Sequence, residues 1–268
     1  VYVILTNEMA LQIEQAEIDT LQSRLTAISH IQGNPMDADV RTFGNATAFT
    51  ATKIPGPSFN TVKGLTDNDS DHLEEIIDFY QQKNIPLQFE LTPAHVSNVV
   101  FDALASRGFY QKGFHTVLYG ETAKLKRRQF PDITIKPIHI DNFNTFAHIY
   151  TKGFAMPDFL NPFIAENNAV LHKVPGWTFL LANSSNTPAG VGVLFTKNTI
   201  ANLAAAATLP TDQNKGVHQA LLQRRIQLAR EANCKIIVGQ ATFGSVSQQN
   251  MQKAGMTIAY TKSVWRKK

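Results

Sequence analysis

The sequence predicts an α/β chain built from two related halves, and three observations carry that prediction. Of the 268 residues, 43% are hydrophobic and 17% charged, which is enough apolar material for a packed core and too much for wholesale disorder. Strand-like alternation and helical spacing interleave along the whole chain. The pattern also repeats. Leu87–Leu91 reads as a strand leading to a helix, then Arg107-Gly108-Phe109, then a strand around Val117. Cys234–Val238 leads in the same way to a helix, Ala254-Gly255-Met256 and a strand around Val264. Leu87 and Cys234, Gly108 and Gly255, Val117 and Val264 are each 147 positions apart. Such an offset implies duplication of a large unit, not a solenoid.

The elements follow in order. Ile18, Leu21, Leu25 and Ile28 share one face of an N-terminal helix. Residues 33–66 hold β-rich pieces broken by Gly and Pro, notably Ile54-Pro55-Gly56-Pro57-Ser58. A second helix carries Leu73, Ile76, Ile77 and Tyr80 on one face, with Asp71 as its expected N-cap. Leu87, Phe89 and Leu91 alternate as a strand, and Gly108 suits a helix C′ position. Lys124–Pro131 is basic, polar and closed by proline, and reads as a solvated connector. Beyond it come a strand at Ile133–Ile135, helices near 142–154 and 162–172, and strands at 177–182, 190–196 and 200–209. A long helix with Val217, Leu221, Leu228 and Ala232 on one ridge and Ala220, Ile226 and Ala229 beside it follows, then a β-run at 235–238, a helix at 245–254 and a last strand or hairpin at 256–265. The expected domains are 1–122 and 132–268, joined by a linker at 123–131.

Composition excludes several functions. One cysteine, Cys234, allows no intramolecular disulfide or multi-cysteine zinc site, and it reads as a buried small apolar residue. The eight histidines are scattered without metal-ligand spacing, so no metal is expected. A formal net charge of +4 suits a phosphate-bearing ligand but is too small to argue for nucleic acid. The longest small-apolar run, Leu203–Ala207, is far too short for a membrane span. Val1–Leu5 lacks a basic n-region and cleavage site, so the protein is expected to be cytoplasmic. Gly190-Val191-Gly192 is followed by Phe195 where a dinucleotide fingerprint needs glycine, and it reads as close packing within a strand. Phe154, Phe159, Phe163 and Trp177 read as core packing before substrate lining, and Glu166 and His172 as surface residues before bases.

The segment Ala205–Leu222 is the most informative. A strand ends near Pro210, a polar loop follows, and a long amphipathic helix begins near Gly216. A helix N-terminus offers unsatisfied N–H groups and a positive dipole end. Gly216 permits close backbone approach and Lys215 adds charge. Physics alone leaves two readings open: a phosphate cradle, or a junction that binds nothing.

Here the sequence resembles the GCN5-related N-acetyltransferase (GNAT) superfamily. That family's acetyl-CoA motif is Q/R-x-x-G-x-G/A, often with proline three residues earlier. This chain has Gln213-Asn214-Lys215-Gly216-Val217-His218 behind Pro210, with His218 in place of the last Gly/Ala. A second family motif, N-x-x-S-x-x-L-Y-x-K-x-G-F, is matched by Ser247, Lys253 and Gly255, while Gly244, Asn250, Met251 and Met256 depart. The resemblance covers the second half and reaches the first through the repeat, in the manner of bacterial tandem-domain members. It implies two tandem domains, each a mixed, mostly antiparallel sheet flanked by helices. It implies transfer of an acetyl group from acetyl-CoA to an amine by direct attack. It implies cofactor contacts at Thr208, Leu209, Gln213, Asn214, Lys215, Gly216, Val217, His218, Ser247 and Asn250. The Leu209 backbone N–H would polarise the thioester carbonyl. Met251 stands where the family often has a proton-donating tyrosine. That departure, with His218, keeps two alternatives open: a non-catalytic acyl-CoA-binding or sensing protein, and an interaction scaffold. The expected acceptor is a small-molecule or peptide amine, with no metal, nucleic acid or membrane, and a monomer or homodimer. The first half has the acidic stretch Leu65–Asp71 at the equivalent junction, so loss of cofactor binding there is expected.

Overall fold

In the computed structural model, residues 5–54 and 56–267 are described. Residues 1–4, searched for a signal, and Pro55 of the Ile54–Ser58 break lie outside them. The chain forms two compact units. The first gathers everything up to Val117 with Ala241–Phe243 and the segment from Ile258 onward. The second gathers Leu118–Gln240 and Gly244–Thr257.

The first unit starts with α1 (Asn7–Ser29), where the Thr6 hydroxyl accepts from Met9 N at the N-cap. Ile13, Ile18, Leu25 and Ile28 bury its inner face. Then follow β1 (Ala38–Phe43), β2 (Ala46–Ala51), β3 (Thr61–Lys63), α2 (Leu73–Gln82), β4 (Gln88–Leu91), α3 (Asn98–Ser106) and β5 (Phe109–Glu121). Asp71 does not cap α2. A 3-10 turn over Asp67–His72 intervenes, and its capping box uses Thr66 and Asp69.

The strand order of this unit is β1-β2-β3-β4-β11, where β11 is Thr257–Lys267. β1–β2 and β2–β3 are antiparallel and β3–β4 parallel. β11 runs antiparallel to β4, from Ser263↔Leu91 to Arg266↔Gln88. The chain's last strand thus sits in the first unit, outside the expected 132–268 grouping. Its core joins Leu73, Ile76 and Tyr80 of α2 to Phe89 of β4, Leu104 of α3 and Phe109 of β5.

A buried ionic cluster holds β11 in place. Lys262 Nζ lies 2.5 Å from Glu17 Oε2 and 2.7 Å from Glu90 Oε2. Lys63 Nζ reaches the same two oxygens at 3.4 and 2.5 Å. Two ammoniums therefore face two carboxylates, from α1, β3, β4 and β11. Burial alone would raise the Glu90 carboxyl, but Lys262 and Lys63 more than reverse it and hold it well below the usual range. Burial would likewise lower Lys262, and Glu17 and Glu90 push it well above its ordinary value. Nearby, Glu14 accepts from Gly64 N and pairs with His95.

The second unit holds β6 (Ile133–Pro137), α4 (Phe143–Gly153), α5 (Asn161–Ala169), β7 (Trp177–Ser184), β8 (Thr187–Lys197) and β9 (Ile200–Thr208). α6 (Val217–Glu231), β10 (Ile236–Ala241) and α7 (Val246–Lys253) complete it. Its strand order is β10-β9-β8-β7-β6, with β6 through β9 antiparallel and β9–β10 parallel. The element order repeats that of the first unit: antiparallel strands, a helix, a strand parallel to the last of them, and another helix. Each unit is a mixed, mostly antiparallel sheet with helices against it.

Gly190 and Gly192 serve close packing: a Cβ on Gly190 would lie 2.6 Å from Val217 Cγ1, and one on Gly192 would crowd Leu221 and Arg225. A register shift between β8 and β9 falls at Val193/Phe195. Arg225 is 2% exposed, and its guanidinium donates to the carbonyls of Leu221, Val193 and Ala205. The 124–131 segment is largely exposed, as a solvated connector should be, but it is anchored at its start. Leu125 is buried, Lys126 N donates to Ala254 O, and Arg230 donates to the Thr122 and Leu125 carbonyls.

Candidate functional site

The parallel pairing of β9 with β10 runs from Ile200↔Ile236 to Asn202↔Val238, and β9 continues beyond it to Thr208. There the chain turns through Pro210–Asp212 into the loop preceding α6. Asn214 and Gly216 both adopt positive φ, at 63° and 86°, the left-handed conformation that tight turns use. Gly216 is the N-cap residue of α6, and no side chain caps the helix. Its first-turn N–H groups therefore have no intrahelical or side-chain acceptor at the cap.

A cavity of ≈ 390 Å³ opens at this point. Gln213, Asn214 and Gly216 line it from the loop, and Val217 and His218 from α6. Thr208 closes it from β9, and Ser247 and Asn250 from α7. Eight of the ten expected contact residues thus surround one space. The Thr208 hydroxyl oxygen is buried and has no hydrogen-bond partner, so a polar atom awaits a partner at the cavity wall.

Two expected residues fall outside. The Leu209 N–H donates to the Ala189 carbonyl at 2.9 Å; it continues the sheet's hydrogen bonding and is not free to polarise a carbonyl. Lys215 turns to Asp212, with Nζ 3.2 Å from Oδ1, and is exposed. Asp212 itself lines the cavity. Hydrogen bonds from Thr211 and Lys215 hold its carboxyl below its ordinary value, so the ammonium neutralises an acid the loop already contains. Ala206, Ala207, Gln219, Val246 and Gly153 also line the space, and no motif in the sequence points to them. Gly153 is needed because a Cβ there would lie 2.8 Å from the Ala207 Cβ.

Gly216 has a different reason from the one expected. Its φ disfavours any side chain, and a Cβ would lie 3.1 Å from the Phe130 ring. Met251 is 3% exposed, and its Sδ would be 2.7 Å from a Cβ on Gly239 of β10. It packs on the sheet and has no proton to give.

Polar side chains between α6 and α7 form a connected set. Gln219 Nε2 donates to Asn250 Oδ1 at 2.9 Å, and Asn250 Nδ2 lies 3.1 Å from His218 Nδ1. Burial, with a smaller contribution from the Arg225 charge, pushes His218 down to about 4. The imidazole is neutral at pH 7.

Other candidates resolve simply. Cys234 is buried, and burial raises its thiol, so it is a packing residue. Glu166 and His172 are exposed. Trp177 is core, but Phe154, Phe159 and Phe163 are 49%, 70% and 47% exposed and do not belong to it. No group of three or more metal-ligating side chains occurs among the described residues. No helix among them is long and apolar enough to cross a membrane.

The equivalent junction of the first unit carries its own anion. The Asp69 carboxylate accepts from Asn45 N at 2.8 Å and Thr66 N at 2.8 Å, and from both their side chains. A Cβ on Gly44 would overlap it.

Comparison with known proteins gives the fold. No protein-family model matches the sequence. No curated protein matches it either. Solved structures do. A GCN5-related N-acetyltransferase from Kribbella flavida is similar at a TM-score of 0.63 and 13% identity, over 91% of this chain and 95% of that one. A functionally unknown conserved protein from Staphylococcus epidermidis is similar at 0.62 and 15% identity, over 90% and 98%. The fold is therefore that of the GNAT superfamily. Its form is the tandem one: a tandem GNAT protein from the clavulanic acid biosynthesis pathway is similar at a TM-score of 0.62 and 9% identity, over 93% of this chain and 94% of that one.

Proposed function

We propose that this protein is an acyltransferase that takes an acetyl group from acetyl-CoA to an amine, with the donor held in the second unit. The observation that carries this reading is the cavity where β9 meets the uncapped N-terminus of α6, with the unpartnered Thr208 hydroxyl in its wall. The amides of Asn214–His218 would hold the pyrophosphate. The thioester would lie toward the end of β9, beside Thr208. The amine nitrogen forms the new C–N bond as the C–S bond breaks, its excess proton passes to water, and the thiolate takes up a proton. No side chain at position 251 supplies that proton, and with a leaving-group pKa of roughly 8–9 solvent suffices. The acceptor is a small-molecule or peptide amine that binds in its neutral form, and the chain acts as a monomer or homodimer.

Calorimetric titration with acetyl-CoA, followed by thiol release across an amine panel, tests the reading. Binding with turnover on one amine class is the expected result. Binding with no turnover on any amine would favour the acyl-CoA-binding protein, for which the buried Met251 is the specific observation. Absence of heat at millimolar ligand would end both.

The first unit does not share this role. The Asp69 carboxylate occupies the donors that a phosphate would use, and a second anion there would meet like charge in a confined space. The calorimetric stoichiometry is expected to be one acetyl-CoA per chain; a value of two would overturn this assignment.

A further inference from the structure

The hydrogen bonds between α6 and α7 have a direction, and Arg128 sets it. A guanidinium can only donate. Arg128 Nη1 faces Gln219 Oε1 at 3.5 Å, and Arg128 N donates to Gln223 Oε1 at 3.2 Å, which anchors the segment beside α6. The Gln219 oxygen therefore points at Arg128 and its Nε2 at Asn250 Oδ1. The Asn250 oxygen is then taken, so Nδ2 must face His218 Nδ1. A ring nitrogen that accepts carries no proton, and a neutral imidazole has its single proton on the other nitrogen. We infer that Arg128, Gln219 and Asn250 form a one-way relay that fixes His218 as the Nε2–H tautomer, making it an uncharged hydrogen-bond donor to the anionic group held at the α6 N-terminus.

The inference rests on the acyl-CoA reading for the identity of the anion but not for the tautomer. It explains why a bulky residue is tolerated beside the cradle: His218 lines the cavity and adds a donor without adding charge. A cation there would sit close to buried Arg225, whose guanidinium donates to three backbone carbonyls. A neutral donor avoids that repulsion. The relay also places Arg128, outside the cavity wall, in control of a group inside it.

The test uses the full-length protein with ¹⁵N-labelled histidine. Long-range ¹H–¹⁵N correlation at pH 7, with the His218 signals assigned by their loss in His218→Ala, is expected to show the Nε2–H tautomer. An Nδ1–H or doubly protonated ring would overturn the relay. Gln219→Glu provides the second arm. The new carboxylate still accepts from Arg128 but has no proton for Asn250, so Asn250 must turn its amide nitrogen to that carboxylate and its oxygen to His218. The ring should then switch to Nδ1–H; an unchanged tautomer would overturn the directional argument.

Calorimetry with CoA reads the role in binding. His218→Ala is expected to weaken CoA about tenfold or more, the loss of one hydrogen bond to a charged group. Equal or tighter binding would mean that the imidazole merely crowds the cavity, and would overturn the donor role. If the wild-type protein shows no CoA binding, the acyl-CoA reading fails, while the tautomer experiment still decides the relay.

Discussion

Lys262→Met is expected to destabilise the first unit by about 3–5 kcal/mol, the usual result of removing one partner from a buried ion pair. Lys262 is 1% exposed and touches carboxylates from α1 and β4. Its loss leaves Lys63 as the one ammonium against Glu17 and Glu90, one of whose oxygens, Glu17 Oε1, already has no partner. The chain has two tryptophans, Trp265 on β11 of the first unit and Trp177 on β7 of the second. Urea unfolding of a Trp177→Phe background therefore reports β11 alone. A shift below about 1 kcal/mol would show that water reaches the cluster and screens it. Replacing Glu17, Lys63, Glu90 and Lys262 together by apolar residues of similar volume should recover most of the loss, because no uncompensated charge then remains buried.

The same cluster sets a pH dependence. The Glu90 carboxyl is held well below its ordinary 4.5 in the folded chain. Its contribution is therefore complete above the unfolded value and disappears as pH falls through the lower folded one. The Lys262 ammonium is held above its ordinary 10.5, so its contribution is complete below that value and disappears as pH rises through the higher folded one. Stability of the first unit should be level from about 6.5 up to that alkaline loss and fall on the acid side. The fall begins because burial holds the His115 imidazole beside the cluster below its ordinary 6.5, so that only the unfolded chain takes up its proton. Asp69 and Glu14, also lowered, then add to the loss. Urea midpoints at the Trp265 signal from pH 3 to pH 7 check this. A midpoint unchanged down to pH 3 would mean that the carboxylates contribute nothing.

Local patterns are the readable part of the chain. The start of the α6 ridge at Val217 and Leu221 and most of the loop from Gln213 to His218 depend on near neighbours in sequence and have the expected place, whereas Leu228 is half-buried and Ala232 is exposed at the helix C-cap. Pairing between distant strands is different. Nothing in Thr257–Lys267 says that it will lie against Gln88–Leu91, because either half offers an open strand of the same type. One signal is present: Tyr260 and Lys262 stand two apart, so a lysine shares the inward phase of a strand. Glu14 and Glu17 likewise sit among the apolar positions of α1, where sequence alone makes them spacers. Leu209 departs from expectation for a related reason, since the partner of its N–H, Ala189, is twenty positions away. Lys215 draws attention by charge alone, and Asp212, three residues before it, claims that charge. Gln219 is invisible in the sequence because its role lies in which of its two amide atoms faces Arg128.

Gly216→Glu is expected to remove acetyl-CoA binding, and the reason is sharper than occlusion. At a φ of +86° any side chain is strained, and its Cβ points at Phe130, not into the cavity. A carboxylate cannot stay against that ring, so it turns to the helix N-terminus, where the free amides attract it. It then competes for the donors assigned to the pyrophosphate. At about 5 Å and an effective dielectric of about 20, like charges repel by roughly 3 kcal/mol, which is about a hundredfold in affinity. Gly216→Asn separates charge from strain. Asparagine tolerates positive φ better than other non-glycine residues and brings no charge, so it should fold and bind far better than the glutamate variant. If both lose affinity equally, Phe130 and the backbone, not electrostatics, govern the cradle. If the glutamate variant binds as tightly as the wild type while its unfolding midpoint is unchanged, the anion does not sit on α6, and the site assignment falls with it.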